Sequence, residues 1–157
     1  APSERLRRAA TGVALMTLFD TDLTVVLVHG SEGRAAERDR GLALRLQDEV
    51  AQRGRRAVVV SDEVYDDHPA LHPSAVVAIG GPGVNRLSAE LLPSLPAVWA
   101  QDDKVFVQAT RDANPPRAVV WGMDADATAE AVEAFVFHGE LDRLLGGLWR
   151  FPGKSLT

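Results

Sequence analysis

Three short runs of branched apolar residues divide the first half of the chain. They are TVVLV at residues 24–28, AVVV at residues 57–60 and AVVAI at residues 75–79. Continuous apolar runs of this length are typical of strands that are buried on both faces of a sheet. Each run therefore predicts a buried strand.

A long helix is predicted between the first two runs, over residues 35–52. It carries an apolar stripe at helical spacing, and Gly54 follows at the place where a helix commonly ends. The stripe consists of Ala36, Ala43, Leu46 and Val50. The third run leads into a short helix, whose inward face is expected to carry Val84, Leu87 and Leu91.

The second half of the chain has a different pattern. Residues 97–110 form two apolar segments around a polar turn at residues 101–104, which predicts a β-hairpin. After a loop at residues 111–116, residues 117–123 predict another strand. Asp124 or Asp126 then caps a last helix, which is expected to continue to Trp149.

The alternation of strands and helices predicts the fold class. Strands separated by helices pair in parallel through crossover connections, and the hairpin adds antiparallel pairing at one side. We therefore expect an α/β fold: a three-layer Rossmann-like or flavodoxin-like sandwich, whose mostly parallel sheet is made mixed by the hairpin.

Length and composition indicate a single domain. The 157 residues are enough for one hydrophobic core. We expect residues 1–20 to form an N-terminal helix or arm, too short and too polar to span a membrane, and residues 151–157 to form a tail. Because the sequence begins at Ala1 without an initiating Met, it is expected to be a processed protein or a piece of a longer one.

The charge balance narrows the classes of partner. A net charge of -5 argues against nucleic-acid binding, for which a basic surface is usual. The absence of Cys excludes disulfides, thiol nucleophiles and zinc–thiolate sites, but it leaves the compartment open, with the cytoplasm favoured over the cell surface. We expect no membrane-spanning segment within this chain.

Several acidic and imidazole side chains cluster between the second and third strands: Asp66, Asp67, His68 and His72. Their spacing fits no standard metal-ligand pattern, and prolines lie among them. Because a metal site needs converging ligands, this segment is interpreted as a solvated loop. We expect no metal site and no cofactor.

The carboxyl ends of the predicted strands indicate where a ligand would bind, as in other open α/β sheets. The residues that follow these ends are the candidate site residues. They are His29, Ser31, Asp62, Gly80, Gly81, Gly83, Asn85 and Asp124.

The glycine-rich turn after the third strand has two interpretations. Gly80, Gly81 and Gly83 precede a helix start, where free backbone N–H groups can hold an anion or a nucleotide phosphate. The same glycines also suit a tight turn that packs a helix closely on a strand. Two known nucleotide-binding motifs, the dinucleotide-binding fingerprint and the P-loop, are absent. The turn after the first strand lacks the G-x-G-x-x-G spacing, and Glu32 there would repel a pyrophosphate. The glycine-rich turn lacks the Lys-Ser/Thr ending of a P-loop.

The sequence gives weaker support for catalysis or ribose binding at this edge of the sheet. His29 is positioned to act as a general base beside Ser31, but no nucleophile elbow surrounds that serine. Asp62, at the end of the second strand, is positioned to contact a ribose.

Two short patterns within residues 75–137 resemble a Rossmann-like domain of archaeal S-layer-related surface proteins. They are a G-G-P-x-x-N turn before a helix and a G-x-D-x-x-x-T segment after a later strand. The matching residues are Gly80, Gly81, Pro82, Asn85, Gly122, Asp124 and Thr128. The resemblance implies a structural or surface role and brings no catalytic residues. In physical terms, the two patterns also predict that Asn85 hydrogen-bonds to the turn after the last strand and ties two strand ends together.

The favoured hypothesis for function is a non-enzymatic α/β domain that acts through protein–protein or self-association contacts, including a homodimer. The alternative is a domain or enzyme that binds a nucleotide or another anionic small molecule around residues 80–85.

Overall fold

The computed structural model describes residues 24–110 and 115–146 of the chain. The predicted N-terminal helix at residues 1–20, part of the loop at residues 111–116 and the tail at residues 151–157 lie outside the described residues. The strands are β1 (Thr24–His29), β2 (Arg56–Ser61), β3 (Ala75–Ile79), β4 (Ala97–Gln101), β5 (Val105–Thr110) and β6 (Arg117–Gly122). The α-helices are α1 (Gly33–Gln52), α2 (Asp62–Asp67), α3 (Arg86–Leu91), α4 (Ala125–Phe137) and α5 (Glu140–Gly146).

The six strands form one mixed sheet in the order β2-β1-β3-β6-β5-β4. The β2-β1-β3-β6 portion is parallel throughout. Strand β5 pairs antiparallel with both β4 and β6. The predicted α/β class and the antiparallel hairpin at one side of a parallel sheet are therefore confirmed.

Helices cover both faces of the sheet and complete a three-layer, Rossmann-like sandwich. One core joins Leu27 and Val77 to α1, α4 and α5 through residues such as Leu46 and Phe135. The opposite core joins Val26 and its neighbours to α2 and α3. The two faces alternate along each strand because successive side chains of a strand point in opposite directions.

The segment interpreted as a solvated loop contains two helical pieces, so that part of the prediction is wrong. Asp62–Asp67 forms α2, and Pro69–Leu71 forms a 3-10 turn. The Ser61 hydroxyl accepts the Val64 N–H at 3.1 Å and caps α2. Two favourable local features, a serine N-cap and acidic residues in the first turn, outweighed the nearby prolines.

The last predicted helix is divided in two. Helix α4 ends at Phe137, and Gly139 adopts a φ of 83° before α5 begins at Glu140. A positive φ cannot continue a right-handed helix, so the chain turns there and Leu141 packs into the core. The predicted end at Trp149 lies outside the described residues.

Smaller differences concern which side chains face inward. Leu87 and Leu91 are buried as predicted, but Val84 is 40% exposed because it precedes α3 instead of lying on it. In α1, Ala36 is only half-buried, while Asp39 is buried on the same stripe as Ala43. No helix among residues 24–110 and 115–146 is both long and apolar enough to cross a membrane.

Candidate functional site

The carboxyl ends of β1, β2 and β3 lie side by side, because the strand register places His29 next to both Ser61 and Ile79. Helix α1 follows β1 on one face of the sheet, whereas α3 follows β3 on the other. The connections therefore diverge between β1 and β3, which is where ligands enter open α/β sheets.

In this protein the chain itself fills that crevice. The Asn85 side chain donates from Nδ2 to the Val28 carbonyl at 3.0 Å and to the Ile79 carbonyl at 2.9 Å. Asn85 therefore ties β1 to β3. The expectation that it bonds to the turn after the last strand is wrong, because its side chain points between the two nearer strand ends.

The turn after β1 packs directly on the same segment. A Cβ atom on Gly30 would lie 1.9 Å from the Val84 carbonyl oxygen, so only glycine allows this approach of two backbones. The backbone at Val84 and the side chain of Asn85 therefore lie directly against the ends of β1 and β3.

The start of α3 has its backbone N–H groups already bonded. Asn85 Oδ1 accepts from Leu87 N at 2.9 Å and from Ser88 N at 3.2 Å. Asp62 Oδ2 accepts the Arg86 N–H at 2.8 Å. Helix α3 has only six residues, and its first turn is capped by side chains of the protein. Within the glycine-rich turn, Gly80 and Gly81 pack closely on neighbouring groups, whereas a Cβ on Gly83 would meet nothing within 4 Å.

Gly80 and Gly81 contribute to the same packing. Gly80 has a φ of 108°, and a Cβ there would approach Asp39 Oδ2 to 2.6 Å. Its N–H donates to the Val120 carbonyl at 2.9 Å, which links β3 to β6. Gly81 lies against the Trp121 ring, because a Cβ on Gly81 would be only 3.0 Å from the nearest ring atom.

A cleft of about 300 Å³ remains beside the filled crevice, on the α2 and α3 face. Four of the candidate residues line it, together with neighbours that the sequence did not single out as ligand contacts. The lining residues are Ser31, Glu32, Asp62, Pro82, Gly83, Val84, Asn85, Arg86 and Ala89. His29, Gly80, Gly81 and Asp124 do not line this cleft.

The cleft is acidic. Glu32 and Asp62 bring carboxylates, and the one basic side chain in its lining, Arg86, lies 3.8 Å from Asp66. Asp62 is 2% exposed, and while its Oδ2 accepts the Arg86 N–H, its Oδ1 has no hydrogen-bond partner among the described residues. Buried carboxylate oxygens are normally paired, so Asp62 Oδ1, which is itself buried, is an exception.

His29 lies on the opposite face of the sheet, on the side of α1. Its ring is mostly buried, and Nδ1 lies 2.7 Å from the Gly30 carbonyl. Because a carbonyl only accepts, Nδ1 carries the proton in this contact and Nε2 is left as the basic nitrogen. Ser31 lies on the cleft side, so the structure does not join His29 and Ser31 as base and nucleophile.

Asp39 is the polar residue that the sequence analysis missed. It is 2% exposed, and its Oδ1 has no hydrogen-bond partner in the described part of the chain. Burial raises the pKa of Asp39 to about 6, while the charges of Arg38 and His29 act in the opposite direction. The signal was present: Asp39 stands four residues before Ala43 on the apolar stripe of α1.

Asp124 has a local structural role on β6 and α4. Its Oδ1 accepts the Ala127 N–H at 2.8 Å and its other oxygen lies 3.2 Å from Lys104 Nζ. These contacts lower the pKa of Asp124, the bond to the Ala127 N–H most of all. The Gly122 N–H donates to Thr128 Oγ1 at 3.1 Å, so the second quoted pattern forms a helix-capping turn.

The histidines of the predicted loop bond to nearby carbonyls. His68 Nδ1 lies 2.9 Å from the Val64 carbonyl, and His72 Nε2 lies 2.8 Å from the Tyr65 carbonyl. Within residues 24–110 and 115–146 there is no group of three or more potential metal ligands.

A second concavity, which we name the edge groove, lies between β4 and α4. It is open, with a volume of about 390 Å³, and Phe137 at its rim is 84% exposed. Trp99 stacks on His138 with ring centroids 5.1 Å apart. The groove is lined by Trp99, Gln101, Ala129, Glu130, Glu133, Ala134, Phe137 and His138.

Comparison with known proteins assigns no family to this arrangement. No protein-family model matches the chain, and no curated protein matches its sequence.

Proposed function

We propose that this chain is a non-enzymatic α/β domain that acts through protein–protein contacts, and first of all through contact with a second copy of itself at the edge groove. The observation that carries the proposal is Phe137. It is the most exposed large apolar side chain of the described residues, and it stands beside an apolar groove of about 390 Å³. Large apolar side chains grouped on a surface mark interaction sites.

The edge groove has both halves of a self-complementary contact. Phe137 projects from its rim, while Trp99 and Ala134 form an apolar wall. In a two-fold dimer, each surface meets its own copy, so Phe137 of one protomer packs against Trp99 of the other and the reverse contact follows by symmetry.

Charge does not oppose this contact. Glu133 lies 3.0 Å from Arg45 and is paired within its own protomer. Glu130 is the acid of the groove lining that has no ion pair among the described residues. Strand β4 adds no charge, because its sequence is AVWAQ.

A shift of register between Ala97 and Trp99 makes β4 irregular, and irregular edge strands are poor templates for strand pairing. The proposed contact is therefore made by side chains of the groove.

The filled crevice between β1 and β3 also supports a non-enzymatic role. The position that holds substrates in related architectures is occupied by Asn85 and Val84. The resemblance to surface-protein domains in residues 75–137 is in keeping with a role in contacts between proteins.

The test is sedimentation over a concentration series, comparing the wild type with Phe137→Glu. Burying a phenylalanine side chain contributes about 1.5–3 kcal/mol, and a symmetric dimer buries two. The variant should therefore weaken dimerisation by about a hundredfold or more.

Met123→Glu is the matched control. Met123 is 64% exposed but lies outside the groove, so the variant adds the same charge elsewhere and should dimerise like the wild type. A wild type that stays monomeric at every concentration contradicts the proposal, as does equal weakening by both variants.

A further inference from the structure

We propose that the outer edge of β2 binds an extended segment of a partner protein, which adds to the sheet as an antiparallel strand. Strand β2 lies at one end of the sheet, and the edge groove lies beside β4 at the other end. The proposed site is therefore separate from the groove and does not depend on the proposed self-association. Addition of a strand to an open sheet edge is a general way of recognising peptides.

The first argument is the regular backbone of this edge. Strand β2 pairs with β1 in unbroken register from Arg56 to Ser61, and within the described residues β1 is its one strand neighbour. The main-chain N–H and C=O groups on the outer side of such a strand are a template for a further strand. The irregular β4 offers no comparable template at the other edge.

The second argument is the apolar centre of the strand. Residues 57–60 are Ala-Val-Val-Val and are half-buried, whereas the valines of β1 are fully buried. Val59 packs on the core that contains α1, and Val60 packs on the core that contains α2. Because both faces of β2 are covered, the exposed part of these side chains lies toward the open edge. Side chains of a partner strand that are β-branched can pack there.

Helix α1 supports the same edge. Gln47 donates from Nε2 to the Ala57 carbonyl at 3.0 Å, so a side chain of α1 reaches the main chain of β2. Leu44 lies three residues earlier, on the same side of the helix, and is 37% exposed. A strand added beside β2 would cover Leu44, so the apolar side chains of the partner are expected on the α1 face.

The third argument is the opposite charge at the two ends of β2. Arg56 at its start and Glu63 just beyond its end are exposed, and neither forms an ion pair with another described residue. A strand that runs antiparallel to β2 enters at the Glu63 end and leaves at the Arg56 end. The partner segment is therefore expected to begin with a basic residue, continue with β-branched residues and end with an acidic residue.

The experiment titrates the capped peptide Lys-Val-Thr-Val-Thr-Val-Glu into the full-length chain that carries Phe137→Glu, which keeps the edge groove out of the measurement. Backbone amide shifts and hydrogen exchange are followed by NMR. We expect saturable shifts of the Val58, Val59 and Val60 amides. At least one of these amides should exchange more slowly, because it gains a hydrogen bond to the peptide. The amides of β4 should not change.

Two control peptides separate strand pairing from charge. Lys-Val-Pro-Pro-Thr-Val-Glu keeps both charges, but one of two adjacent prolines always falls where the peptide needs a main-chain donor toward β2. We expect this peptide not to bind measurably. Glu-Val-Thr-Val-Thr-Val-Lys reverses the charges, and it should bind about two- to tenfold more weakly, because exposed ion pairs contribute little each.

The double variant Arg56→Glu with Glu63→Arg tests the orientation from the side of the protein. Both positions are exposed, so the fold should be kept, and this variant should prefer the reversed peptide. The proposal is overturned if residues 58–60 show no saturable shift, if the proline peptide binds equally well, or if the preference for charge order does not reverse. Shifts of β2 that follow protein concentration without peptide also overturn it, because the edge would then pair with its own copy. Failure of the edge-groove dimer leaves the outcome of this titration unchanged.

Discussion

The buried carboxyl group of Asp39 makes a pH-dependent contribution to the stability of the protein. Burial raises its pKa from an ordinary 3.8 to about 6, so the folded protein holds this proton more tightly than the unfolded chain does. The contribution of Asp39 to stability is therefore most favourable at low pH and falls as the pH rises from about 4 to about 6. The charged groups that act on Asp39 are Arg38 on the same helix and His29 on β1.

We therefore predict that Asp39→Asn becomes more stable than the wild type as the pH rises. A shift of two pKa units corresponds to about 3 kcal/mol, so the difference in free energy of unfolding between variant and wild type should grow by about 1–3 kcal/mol between pH 4 and pH 8. Urea unfolding at both pH values measures it. Asp48→Asn, at an exposed position of the same helix, should show no such change, and a parallel pH profile for wild type and Asp39→Asn refutes the prediction.

Asn85 combines two functions in one side chain, and variants can separate them. Its Oδ1 caps α3 and its Nδ2 ties β1 to β3. Asn85→Ala removes both and leaves buried carbonyls unpaired, so we predict a loss of about 2–4 kcal/mol in the free energy of unfolding. Asn85→Ser can still cap the helix and should lose about 1 kcal/mol less. Chemical denaturation gives both values, and a loss under about 1 kcal/mol for Asn85→Ala rules out the tie.

At the scale of elements, the contact between the end of β1 and the start of α3 is made by backbone atoms. We predict that Gly30→Ala destabilises the protein by about 2 kcal/mol or more, because its Cβ would lie 1.9 Å from the Val84 carbonyl oxygen and the two segments would have to separate. Gly83→Ala is the control, since a Cβ there meets nothing within 4 Å. Thermal unfolding of the two variants should differ clearly. Similar melting temperatures would show that the β1 turn and α3 are not held this closely.

Ion pairs also join elements on the surface. Arg45 on α1 binds Glu133 on α4, and Arg53 on α1 binds Asp142 on α5. Pairs this exposed contribute little to stability, so the helices of this layer are held mainly by the core that contains Leu46, Phe135 and Leu141.

At the scale of the whole molecule, the proposed self-association predicts a link between stability and protein concentration. A dimer that forms only from folded protomers stabilises the folded state by mass action. We predict that the melting temperature of the wild type rises with protein concentration, whereas that of Phe137→Glu stays constant. Differential scanning calorimetry over a range of protein concentrations measures this. A melting temperature of the wild type that does not change with concentration argues against the dimer.

Most of the strands and helices followed from the sequence, because they depend on patterns within a few residues. Runs such as AVVAI at residues 75–79 are apolar enough to be buried on both faces, and the stripe from Ala43 to Val50 repeats at helical spacing. The caps at Ser61 and Asp124 are equally local. The sequence by itself therefore determined the α/β class, the hairpin and the edge of the sheet where polar residues collect.

Only the tertiary structure decided what those polar residues do. Asn85 finds its partner Val28 57 positions away, and Asp62 accepts from Arg86 24 positions away. The packing also buried Asp39 and left Phe137 exposed. The hydrogen bonds of Asn85 and Asp62 depend on contacts between segments distant in the chain, which no local pattern encodes. For that reason the glycine-rich turn, ambiguous as a sequence, became a close-packed connection, and the open cleft came to lie beside it at Asp62.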